Sequence, residues 1–177
     1  MPDTDEGKKI MSMSYNQLKE LFWDLFRNAK CKAGHMIPFR SVRFSLMDKL
    51  NPVEQDTLNH VIEDIFNEGL IKETPGDGGL QGFVLTEKGF DEIYDTPANS
   101  ELEEVVMDFF RKANCNVGHV IKLAPLWISL QNDLNPKEYD KMVDIINGLI
   151  DKEFISFEKT PFECLRLEQK GFDYIYR

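Results

Sequence analysis

Residues 50–54 read Leu50-Asn51-Pro52-Val53-Glu54, and the phrase returns 84 positions later as Leu134-Asn135-Pro136-Lys137-Glu138. It has the chemistry of a helix start. The asparagine side chain can accept from the first free amides, proline suits the first helical position, and the glutamate three residues on can reach back to the asparagine N–H. Leu58, Val61, Ile62, Ile65 and Phe66 then recur at helical spacing, mirrored by Met142, Ile145, Ile146, Leu149 and Ile150.

The correspondence extends both ways. Upstream, Leu18, Glu20, Asp24, Phe26, Arg27, Ala29, Cys31, Gly34, His35 and Ile37 recur at the same offset from Leu102 to Ile121. Downstream, past Pro75-Gly76-Asp77-Gly78-Gly79, the offset falls to 82, and Lys88-Gly89-Phe90-Asp91 is answered by Lys170-Gly171-Phe172-Asp173. A turn tip is where a two-residue deletion is tolerated. The chain therefore reads as a tandem duplication: an N-terminal tail over 1–13, repeats over 14–95 and 101–177, and a Pro-containing linker over 96–100.

Within a repeat, Ser14 with Gln17, and Ser100 with Glu103, predict capping boxes for an amphipathic first helix that stops before Gly34 or Gly118. His35-Met36-Ile37 predicts a short strand, which Pro38 confines to a sheet edge. Arg40 to Lys49 predicts a second helix. Gly69 ends the third, whereas Glu153 holds the same place in the second copy, which must end its helix without a left-handed glycine. Leu70–Glu73 with Phe83–Leu85, and Phe154–Phe157 with Leu165–Leu167, predict β-hairpins, and a short helix closes each repeat.

This order resembles the winged-helix fold, twice over nearly the whole chain. Glu68-Gly69-Leu70-Ile71 and Leu85-Thr86-Glu87-Lys88-Gly89 are similar to the third-helix end and the strand-to-helix exit of many bacterial winged-helix regulators. The second copy departs from the latter, reading Leu167-Glu168-Gln169-Lys170-Gly171. The resemblance implies an α+β, helix-rich chain of two tandem winged-helix repeats, each with three helices, a hairpin wing and a short terminal helix. It leaves the ligand open, because winged helices serve both DNA-binding regulators and protein-binding assemblies.

Composition narrows the choice. Of 177 residues 42% are hydrophobic, enough for packed cores, and acids outnumber bases 31 to 21 for a net charge of −10, which excludes a globally cationic nucleic-acid binder. A DNA-reading third helix wants cations on its solvent face. Here no Lys or Arg lies between Lys49 and Lys72, while Glu54, Asp56, Glu63, Asp64 and Glu68 do. The counterweight is a local cluster of Arg27, Lys30, Lys32, Arg40, Arg43 and Lys49, with Lys137 and Lys141 in the second copy.

Aromatics present in one copy only supply a further signal. Trp23, Trp127 and Tyr139 replace Met107, Arg43 and Gln55, and are candidates for a partner surface together with Glu63 and Asp64. Cys31 with His35, and Cys115 with His119, offer two possible metal ligands per repeat, which falls short of a site unless both pairs meet, and no metal or cofactor is expected. No phosphate-binding glycine loop, nucleophile elbow or His-Glu-x-x-His motif is present, so no catalytic residues are assigned. The expectation is a non-enzymatic, cytoplasmic protein-interaction module, binding another protein or itself. The alternative is a DNA-binding regulator using Arg40, Arg43, Lys49, Lys137 and Lys141. A membrane span is not expected.

Overall fold

A computed structural model describes residues 12–74, 80–159 and 161–177. The tail expectation for residues 1–11 and the tip Pro75–Gly79 lie outside them. The chain divides into two compact units, Met1–Ile93 and Tyr94–Arg177.

The first unit runs α1 (Tyr15–Asn28), β1 (Met36–Pro38), α2 (Phe39–Ser45), a 3-10 turn (Met47–Lys49), α3 (Pro52–Asn67), β2 (Ile71–Glu73), β3 (Gly82–Leu85) and α4 (Glu87–Ile93). The second runs α5 (Asn99–Lys112), β4 (Val120–Lys122), α6 (Leu123–Asp133), α7 (Pro136–Asp151), β5 (Ile155–Glu158), β6 (Cys164–Leu167) and α8 (Gln169–Tyr176). Among the described residues the chain is α+β and helix-rich, with two three-stranded antiparallel sheets ordered β1-β3-β2 and β4-β6-β5. Each predicted short strand pairs at the edge of its hairpin, Ile37 opposite Phe83 and Ile121 opposite Leu165.

The helix starts follow from the side chains. Ser14 and Gln17 form the predicted box on α1, and Asn51–Glu54 and Asn135–Glu138 form theirs on α3 and α7. The box expected at Ser100 and Glu103 does not form. The helix begins earlier: Ala98 is the extended N-cap residue, and its N–H donates to Glu101 Oε2 at 3.3 Å, so Glu101 takes the place expected of Glu103. The predicted second helix is whole only in the second unit. In the first it breaks after Ser45 into a 3-10 turn, and Gln55 Nε2 donates to the Leu50 carbonyl at 2.9 Å and, at 3.0 Å, to the Met47 carbonyl that also takes the Leu50 N–H. Tyr139 stands in place of Gln55 in the second unit and has no amide with which to do this.

Glu153 takes φ +60°, the left-handed conformation that Gly69 adopts at φ +72°. The second copy thus keeps the helix-ending geometry with a non-glycine residue, and Lys170 ion-pairs with its carboxylate. The repeated Lys-Gly-Phe-Asp phrase has a steric cause. A Cβ on Gly89 would lie 2.0 Å from the Leu70 carbonyl oxygen, and one on Gly171 would lie 2.1 Å from that of Phe154. These glycines let α4 and α8 lie directly on the chain entering the hairpin.

The core of the second unit gathers Leu102, Val106, Phe110, Leu130, Met142, Leu149 and Leu165. In the first, Leu18, Phe22, Phe26, Leu58, Val61, Ile65 and Leu85 are fully buried.

Glycine substitutions separate the two kinds of site. Gly89→Ala and Gly171→Ala should each cost about 2–3 kcal/mol in urea unfolding through backbone overlap. Gly148→Ala, mid-helix with nothing within 4 Å of the new methyl, should instead gain ~0.5–1 kcal/mol.

Candidate interaction surface

The outward faces of α3 and α7 are set by how those helices begin. Asn51 Oδ1 accepts from Glu54 N–H at 3.0 Å, and Glu54 Oε2 accepts from Asn51 N–H at 3.1 Å. The other Glu54 oxygen accepts from Met13 N–H at 2.8 Å and from the Ser12 hydroxyl. Ser12 and Met13, the last two residues of the expected tail, thus dock on the start of α3. The Met13 amide bond, then that of Asn51, holds the buried Glu54 carboxyl below the usual carboxylate range. Glu138 caps α7 alike, accepting from Asn135 N–H at 2.8 Å.

The predicted acidic pair splits. Asp64 Oδ2 accepts from the Tyr15 hydroxyl at 2.6 Å, which ties α3 to α1 and pushes the tyrosine pKa up to about 12. Glu63 faces solvent, its carboxylate 3.9 Å from His60. Asp56 and Asn59 are exposed on the same side.

The predicted cations separate as well. Arg40, Arg43 and Lys49 are exposed, with Arg43 Nε 3.7 Å from Asp48. Arg27, counted with them, pairs with Glu20 and Asp24 at 2.8 and 3.0 Å, and Arg111 repeats this with Glu104 and Asp108. Lys137 and Lys141 are half-buried: their ammonium groups donate to the Tyr94 and Pro97 carbonyls at 3.2 and 3.3 Å. Both ammonium groups are thus already bonded to backbone within the second unit.

Trp23 is also misplaced by sequence reasoning. It is 2% exposed and packs edge-on against Phe26 with ring centroids 5.7 Å apart. Its counterpart Met107 is fully buried too, so the buried face of the first helix is one position wider than the periodic stripe. Trp127 and Tyr139 are half-buried and meet edge to face with ring centroids 5.7 Å apart, so these two residues confined to the second copy form one contact.

Each unit has a groove between its second helix, its third helix and its sheet. In the first it has a volume of about 470 Å³ and is lined by Phe39, Val42, Arg43, Met47, Asp48, Gln55, Asn59, Ile62 and Phe83. In the second it is about 400 Å³, lined by Leu123, Trp127, Val143, Ile146, Asn147, Ile150, Phe157 and Leu165. The two grooves are lined from corresponding positions of the repeated sequence, and the lining of the second is the more apolar. Val143 and Phe157, at 57% and 46% exposed, form its lips. Sequence reasoning missed both. The available signal was that α7 carries apolar residues at Tyr139 and Val143 as well as along its core stripe, more than one buried face requires.

Cys31, Cys115 and Cys164 are buried and unbonded to one another, and burial raises the thiol pKa of Cys31 and Cys115. Nδ1 of His35 and of His119 accepts from Lys32 and Asn116 N–H respectively, each at 3.2 Å, closing equivalent loops. Among the described residues no three His, Cys, Asp or Glu side chains gather as a metal set.

No protein-family model matches this chain, and comparison with curated proteins gives no match.

The role of Glu54 can be read from pH. Its carboxyl is held below its unfolded value, so its contribution is present above the ordinary carboxylate range and fades as pH falls through the folded value. The gap in urea midpoint between the native chain and Glu54→Gln should be constant near neutrality and close on acidification towards pH 3. A gap unchanged by pH would show that the charge is not what matters.

Proposed function

We propose that the chain is a non-enzymatic tandem winged-helix protein acting as a protein-interaction module in the cytoplasm. The carrying observation is the composition of the outward third-helix faces. In this fold they are the surfaces that would meet a nucleic-acid backbone, and here they present Asp56 and Glu63 on α3, and Val143, Asp144 and Asp151 on α7. Carboxylates there repel phosphates, and the phosphate term supplies nearly all non-specific affinity for DNA. Exposed apolar side chains beside an open groove favour a protein surface instead.

The α+β units support the winged-helix reading: each sheet's order, with the short strand added to the hairpin edge, is the arrangement such a fold requires. Among the described residues no helix is long and apolar enough to cross a membrane.

The regulator reading keeps one supporting observation, the exposure of Arg40, Arg43 and Lys49 in the first unit. A fluorescent 20-bp duplex titrated with protein at about 50 mM salt should show no saturable binding below ~0.1 mM. Micromolar or tighter binding that weakens steeply with salt, and that is lost in Arg40→Glu/Arg43→Glu, would reverse the assignment.

A further inference from the structure

Resting on that interaction reading, we propose that the groove between α6, α7 and the β5–β6 hairpin seats a short amphipathic segment of a protein partner, with bulky apolar side chains on one face and lysine or arginine beside them.

The floor of the groove is buried Ile146 and Leu165, and its walls include Leu123 and Trp127. At about 400 Å³ it has the size of sites that bury drug-sized groups, which suits a few inserted side chains rather than a folded domain. Asn147 and the indole N–H of Trp127 are the polar side-chain groups among its lining residues.

The charge beside it selects the partner. On α7, Asp140, Asp144 and Asp151 form the row next to the groove-lining Val143, Asn147 and Ile150. Asp144 and Asp151 are exposed and have no ion-pair partner among the described residues.

Five cations of this unit are engaged with other groups. Lys137 and Lys141 lie on backbone carbonyls, Lys152 pairs with Glu103, Arg166 pairs with Glu158, and Lys122 Nζ sits 5.0 Å over the Phe162 ring. Lys159 stands between Glu158 and the nearby Glu163 in sequence.

An apolar slot beside an acidic ridge is complementary to an apolar-basic segment. A second copy of this chain docked symmetrically would set ridge against ridge on a protein already at −10, so self-pairing through this face is disfavoured.

The chain carries its own reporter, because Trp127 lines the groove while the other tryptophan, Trp23, is buried. The probe is a synthetic 14-residue peptide with leucines at helical spacing and lysines flanking them. One twin has glutamate for each lysine, and a second has alanine for each leucine.

With the full chain, the lysine peptide should give a saturable change in tryptophan emission, and either twin should bind at least about tenfold more weakly. Val143→Lys should weaken the lysine peptide about tenfold or more, and Val143→Ala should do so about two- to fivefold. Asp144→Lys/Asp151→Lys should invert the preference between the lysine and glutamate peptides. All of these positions are exposed, and an unchanged circular dichroism spectrum checks folding.

Equal binding of the lysine and glutamate peptides, binding indifferent to Val143→Lys, or no emission change up to about 1 mM would overturn the groove assignment. The interaction reading falls by a different result, saturable salt-sensitive duplex binding. Peptide binding lost in Glu63→Lys but kept in Val143→Lys would move the site to α3, overturning this proposal while leaving that reading intact.

Discussion

The carboxylate at the third position of the third helix is the hinge of each unit. In the first unit Glu54 closes the cap on α3 through the Asn51 amide and, with its second oxygen, takes the amide of Met13 just ahead of α1. One buried side chain thus fixes where α3 starts and where the chain enters α1. Two satisfied charge-assisted bonds offset the cost of removing that carboxylate from water. The Tyr15–Asp64 bond ties the same two helices two to three turns further along α3. With α3 fixed against α1, its opposite side is committed to the solvent and to the groove beside the sheet. Asn135 and Glu138 start α7 in the same way, so both outward faces descend from one sequence phrase.

The repeated sequence accounts for what the units share, and the positions that differ account for how their grooves differ. Arg43 and Gln55 keep the first groove partly polar, and Gln55 stabilises the break between α2 and the 3-10 turn. Trp127 and Tyr139 at the same places meet edge to face beside a continuous α6. Two exchanges thus accompany both the lengthening of a helix and the loss of polar character from a groove wall. The glycines at 89 and 171 stayed, since a Cβ at either would collide with a carbonyl on which the entry to the hairpin depends. Gly69 had no such collision to avoid, and Glu153 occupies its place at the cost of a left-handed backbone.

Local chemistry made the helix starts, the strand edges and the repeat itself legible from sequence, because caps, prolines and periodic apolar residues act within a few positions of themselves. Where neighbouring signals compete, or where the outcome rests on contacts distant in sequence, reading failed. Glu101 rather than Glu103 closes the start of α5, and the second helix breaks in the first unit, where Gln55 holds the Met47 and Leu50 carbonyls. Trp23 read as an outward aromatic because a single stripe was assumed, whereas the first helix is buried over a broader arc. Lys137 and Lys141 read as free cations because their carbonyl partners lie more than forty residues away in sequence. The acidity of α3 was visible directly. The apolar lips of the second groove were not, since Val143 becomes informative only once the core has claimed its neighbours.

The functional reading turns on the potential at the outward surfaces of α3 and α7. Paramagnetic relaxation of backbone amides by a cationic and an anionic small nitroxide, measured on the native chain, reports that potential residue by residue. The account predicts that amides around Asn59, Glu63, Val143 and Asp151 relax several-fold faster with the cationic probe, with the excess shrinking as salt is added. Equal relaxation by both probes, or a preference for the anionic one at these amides, would contradict it.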